Sequence, residues 1–141
     1  MATTNSPEYA GYVATPPVLQ APGKWYGRLR GFEAVIALAG QASGDDINLF
    51  VLPQGFRPVF GVIQTTTSLG SSTAAIGVAG ATGKYRAAAT FTATETPTLF
   101  GVTAGVSDVL EAAETVKLTI GTAALPGSGT LLVRLFGTGA D

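Results

Sequence analysis

The feature that most constrains this fold is an apolar alternation of period two, repeatedly interrupted by Gly and Pro. It is clearest near the C-terminus. There "TVKLTIGTA" sets Val116, Leu118 and Ile120 on one face and Lys117 and Thr119 on the other. "TLLVRLFG" repeats the pattern, with Leu131, Val133 and Leu135 opposite Leu132, Arg134 and Phe136. Successive strand side chains point to opposite faces, so this pattern builds strands and offers no helical stripe. Between the two runs, "LPGS" has the residues of a type II turn, with Gly127 taking the positive φ after Pro126. The two runs are therefore expected to pair as a β-hairpin.

The same texture runs upstream. "RLRGFEAVIALAG" alternates, with Phe32, Ala34, Ile36 and Leu38 on one face. "QASGDD" is a loop signal, and "INLFVLP" is a short strand apolar on both sides. "LPQGF" predicts a type I turn with Pro53 second and Gly55 fourth. "RPVFGVIQ" follows as a strand, and Pro58 points to an edge or a strand start. "TTTSLGSS" is a polar turn, and "TAAIGV" is another strand. Two alanine-rich segments, "GKYRAAAT" and "SDVLEAAE", are expected to form a helical turn or two each, the second capped at Ser107 or Asp108. Seven or eight short strands with Gly/Pro turns predict an all-β protein, an antiparallel β-sandwich or jelly roll with one or two short helices.

Residues 1–24 differ from the rest. They hold four of the eight prolines (Pro7, Pro16, Pro17, Pro22) and show neither helical nor strand periodicity. Such a segment favours extended conformations and forms no core of its own. It is expected to be an N-terminal arm laid over the same subunit or a neighbour, leading into a sandwich domain over residues 25–141. Tyr9, Tyr12 and Trp25 are its anchors, with Pro16 and Pro17 between them. Tyr26, Arg28 and Arg30 extend this cluster, and Trp, Tyr and Arg dominate protein–protein hot spots. These eight residues are the candidate partner contacts.

Composition narrows the chemistry. The chain has no His and no Cys, which removes the commonest general base, thiol nucleophiles and thiolate metal sites. With a net charge of −1, no long-range field draws it to nucleic acid or anionic lipid. Charged residues make up only 12%, about half the usual roughly 25%. A surface so poor in charge points to coverage by partners. The N-terminus lacks the basic and apolar regions of a signal peptide, and no apolar run reaches membrane-spanning length, so a soluble chain that stays where it is made is expected.

"AIGVAGATGKYRAA" has the look of a phosphate loop, but the spacing fails. Gly77 precedes Gly83 by six positions, one too many, and Tyr85 stands where a hydroxyl must reach Mg²⁺. A glycine-rich turn between a strand and a short helix is expected there, with Lys84 and Arg86 solvated or facing a partner. Asp45 and Asp46 are too few oxygens for calcium. Asp108, Glu111 and Glu114 would share the outer face of a helix. No "SxxK" occurs. No enzyme activity, cofactor or metal is expected.

The order of elements carries a resemblance. "GFEAVIALAG", "INLFVLPQGFRPVFGVIQTTTSLGSSTAAIGVAG", "GKYRAAATFTATETPTLFG" and "VKLTIGTAALPGSGTLLVRLF" together resemble small virion structural proteins of tailed bacteriophages, especially capsid decoration (cement) proteins. The resemblance spans most of residues 30–137. It implies a compact β-sandwich, often a homotrimer, on the outer surface of the head, assembled in the host cytoplasm. The partner implied is the major capsid protein, with neither nucleic acid nor membrane, and no catalytic residues are carried over. Head-fibre, connector or tail structural proteins are the alternative, as is a sugar-binding host-attachment module.

Overall fold

A computed structural model describes residues 10, 13–17, 28–101 and 109–139. Among them are eight strands: β1 (Arg30–Ala37), β2 (Asp46–Leu52), β3 (Phe56–Thr65), β4 (Thr73–Val78), β5 (Ala81–Thr90), β6 (Thr98–Gly101), β7 (Glu114–Gly121) and β8 (Thr130–Gly139). They form two antiparallel four-stranded sheets, ordered β1-β8-β3-β6 and β2-β7-β4-β5. Strand pairs β1·β8, β2·β7, β3·β6 and β4·β5 are nested one inside the next. The described chain is thus one long antiparallel double strand, with its tip at Ala79–Gly80, wrapped into a sandwich. This is the jelly-roll arrangement.

The wrap is continuous because the crossovers between sheets are themselves hydrogen-bonded. Leu38 N donates to Gly129 O (2.9 Å), Gly40 N to Pro126 O (2.9 Å), Leu125 N to Gln41 O (2.9 Å) and Ile120 N to Asp45 O (3.0 Å). These bonds carry the β1·β8 ladder across into β2·β7. Lower down, Gly55 N donates to Leu110 O and Leu110 N to Phe56 O, both at 2.9 Å. Polar backbone that leaves a sheet thereby keeps its partners through the corners.

The C-terminal hairpin expected from the sequence is not formed. β7 lies in one sheet and β8 in the other. The positive φ angles fall at Thr122 (68°) and Gly129 (114°), not at Gly127. Residues 122–129 form a crossover corner. The apolar faces that looked like neighbours instead oppose each other across the core: Val116, Leu118 and Ile120 against Leu131, Val133 and Leu135, all at most 1% exposed. Face-to-face packing lets both strands bury the same pattern, with each gaining two hydrogen-bonded neighbours.

Three other expectations are corrected. "GKYRAAAT" belongs to strand β5, and no helix is found over the described residues 109–114 of the second segment. Pairing with β4 outweighs alanine's helical preference at the first site, and backbone pairing with Phe56 holds Leu110 at the second. The turn at "LPQGF" runs from Pro53 to Phe56, closed by Phe56 N to Pro53 O (3.2 Å), and puts Gly55 third with φ 88°. That positive φ is the type II signature. Pro58 meets the strand-start alternative rather than the edge one: it lies near the start of the central strand β3, on a bulge that β6 does not reach. Its missing N–H therefore costs little there.

Of the arm expected over residues 1–24, only Ala10 and residues 13–17 are described. Ala10, Val13, Thr15, Pro16 and Pro17 are exposed.

Arg86 shows how β5 tolerates its irregular register against β4, where pairing slips on both sides of Ile76. Its guanidinium donates to the carbonyls of Ala74, Ala89 (3.2 Å) and Thr90 (3.3 Å) and lies 5.9 Å from the centre of the Phe91 ring. Burial lowers its pKa from the usual value. Arg86→Ala strands these acceptors and is expected to lower stability by about 1–3 kcal/mol in urea unfolding. An unchanged midpoint would show that water replaces the guanidinium without loss.

Candidate functional site

The two outer faces of the sandwich differ sharply. On the β2-β7-β4-β5 sheet two outward rows are small or polar, Asn48, Lys117 and Gly77 in one and Asp46, Thr119 and Ala75 in the next, and a further row pairs the exposed Val51 with Thr115. Thr119 donates to Asp46 (2.9 Å), and Lys117 stands 4.0 Å from the same carboxylate. Among the described residues, no group of three or more Asp or Glu converges as a metal would need.

The outer face of the β1-β8-β3-β6 sheet is apolar where an alternating strand should present polar side chains to water. Three rows cross its middle, between the Ala37–Thr130 pair at one end and the Arg57–Thr138 pair at the other. Val35, Leu132 and Gln64 form the first, Glu33, Arg134, Val62 and Leu99 the second, and Gly31, Phe136, Phe60 and Gly101 the third. Phe60 and Phe136 stack at 5.0 Å. The Phe136 ring lies over Gly31, where a Cβ would come within 2.9 Å of it. Leu99 is 72% exposed and Val35 61%. The one ion pair described on this face is internal to it, Arg134 Nε donating to Glu33 Oε2 at 2.6 Å. A shallow cleft of about 320 Å³ opens beside this pair, lined by Gly31, Phe32, Glu33, Arg134 and Phe136. Exposed aromatic and aliphatic side chains around a neutralised charge pair suit a protein partner.

Of the eight candidate contacts expected from the sequence, four fall among the described residues. Arg28, Pro16 and Pro17 are exposed, and Arg30 opens β1 opposite Gly137, half-buried. Tyr9, Tyr12, Trp25 and Tyr26 lie outside the described residues. The apolar face was missed, although β8 carried a signal for it: Leu132 and Phe136 make that strand apolar on both sides. Lys84 and Glu114 also find unexpected roles. Instead of being solvated, Lys84 pairs with Glu114 at 2.8 Å. Glu114, far from lying on an outer helix face, also accepts a hydrogen bond from the buried Tyr85 hydroxyl.

No family model and no curated protein matches this sequence. Solved structures do match in fold. A chain of the cyanophage Pam1 capsid asymmetric unit aligns with a TM-score of 0.67 at 19% identity, covering 98% of this chain and 99% of its own. A chain of the Ralstonia phage GP4 capsid aligns at 0.58 and 20% identity, covering 81% and 86%. One from the acidic stable capsid structure of Helicobacter pylori bacteriophage KHP30 aligns at 0.56 and 10%, covering 79% and 92%. All three are phage capsid structures. At these identities, the shared property is the fold.

Proposed function

We propose that this chain is a virion structural protein of a tailed bacteriophage, a decoration subunit that cements the head from outside by bridging major capsid protein subunits as a homotrimer. The observation that carries the reading is the end-to-end fold match to a chain of a phage capsid asymmetric unit. The apolar outer sheet face supports it, because a lone soluble subunit would leave that face wet. Cementing works by adding contact area. Each apolar patch removed from water contributes about 25 cal/mol per Å², and a stable contact covers about 800 Å² per partner. Spread over a shell, that resists the outward pressure of packaged DNA.

The test adds purified full-length protein to heads lacking it and measures bound protein and the temperature of DNA release. Saturable binding with a raised release temperature is expected. Absence of binding overturns the decoration reading. Removal of residues 1–24 is expected to lower occupancy on heads while the sandwich stays folded; equal occupancy would deny the arm any part in attachment.

A further inference from the structure

We propose that the apolar outer face of the β1-β8-β3-β6 sheet seats the N-terminal segment, residues 1–27, of a second copy of this chain. The face is open in the single subunit, as the exposures of Leu99 and Val35 show. The described part of the N-terminal segment is equally open, with Val13 50% exposed and Leu29, where the segment joins β1, 62% exposed. Val13, Leu29 and the face are thus uncovered together in the single subunit. Two open, apolar partners on one molecule are satisfied together when copies exchange them.

Charge and reach agree with this occupant. Residues 1–27 contain two charged side chains of opposite sign, Glu8 and Lys24. The Glu33–Arg134 charges on the face already neutralise each other. Docking therefore brings little uncompensated charge out of water. A 27-residue extended segment spans up to about 90 Å, whereas four strands side by side measure about 14 Å across. Running back from the start of β1 at Arg30, the segment can cross to a neighbour and lie over its sheet. Arm and face are different surfaces, so the contact is heterologous and closes into a ring when the rotation allows. The inference deepens the homotrimer reading above and rests on it.

The chain contains no cysteine, so single thiols report the contact cleanly. Full-length Val13→Cys and Leu99→Cys proteins are mixed and treated with a bifunctional maleimide. A cross-linked pair that neither variant gives alone is expected. In parallel, the double variant Val35→Asp with Leu99→Asp is followed by light scattering over a dilution series. Self-association should weaken about tenfold or more, with the thermal midpoint retained because both positions are exposed. Should that midpoint fall, the cross-link alone decides. A chain carrying both thiols that cross-links only within itself at high dilution overturns the exchange. Wild-type association by the aspartate variant overturns the face as the seat. A wild-type protein that is monomeric throughout overturns both this inference and the homotrimer, whereas head binding is read separately.

Discussion

Phe56→Ala is expected to lower stability by about 3–5 kcal/mol, since Phe56 is the largest fully buried side chain among the described residues. Phe56 is fully buried at the start of β3. It meets Phe32 of β1 edge-to-face at 5.2 Å, and Phe32 in turn stacks on Phe50 of β2 at 5.7 Å. This aromatic chain ties the two sheets together at one end of the sandwich. Gly137 leaves room for the ring, since a Cβ there would collide with it and with the Arg57 carbonyl. Removing the ring opens a cavity that rigid strands on both sides cannot close. Domains of this size hold about 5–15 kcal/mol in total, so urea denaturation of Phe56→Ala should show a large drop in midpoint. A loss of under about 1.5 kcal/mol would mean that the end of the sandwich collapses around the gap.

The second large effect is at Glu114. Its carboxylate receives Lys84 Nζ at 2.8 and 3.0 Å and the Tyr85 hydroxyl, while Tyr85 is 3% exposed. Glu114→Ala leaves a buried hydroxyl and a partly buried ammonium without their acceptor, at a cost of about 2–4 kcal/mol. Glu114→Gln keeps an acceptor for the tyrosine and should cost less. Burial first, then the hydrogen bond to Glu114 and its charge, push the Tyr85 phenol well above its usual 10.0. The folded chain therefore holds the phenol neutral. Its contribution is complete below pH 10 and is lost progressively above it, where the unfolded chain's tyrosine ionises and the folded one does not. Thermal melts should show stability falling as pH rises past 10, with a shallower fall in Tyr85→Phe. Parallel pH profiles for the two proteins would rule out Tyr85 as the source.

Much of the architecture was legible locally, and for a plain reason. Period-two alternation is a property of each strand alone, so β7 and β8 could be recognised, with their buried faces, from a few residues each. β5 was not legible, because alanine-rich "KYRAAAT" becomes a strand only through pairing with β4, to which Arg86 adds a bond to the Ala74 carbonyl. The candidate face was half legible. Leu132 and Phe136 marked β8 as apolar on both sides, but Val35, Val62 and Leu99 reach the same surface from three other strands. Only register brings them together.

By itself, then, the sequence determined six of the eight described strands, all but β5 and β6, the dry side of those that alternate cleanly, such as β7, and which chemistries were closed to a chain without His or Cys. Tertiary structure alone decided which strands are neighbours. Turn residues constrain a corner but not whether the chain returns in the same sheet or crosses the core. At residues 122–129 that choice was set by hydrogen bonds to the adjoining corner at 38–41. It was also set by two apolar faces that bury each other more completely when they meet face to face.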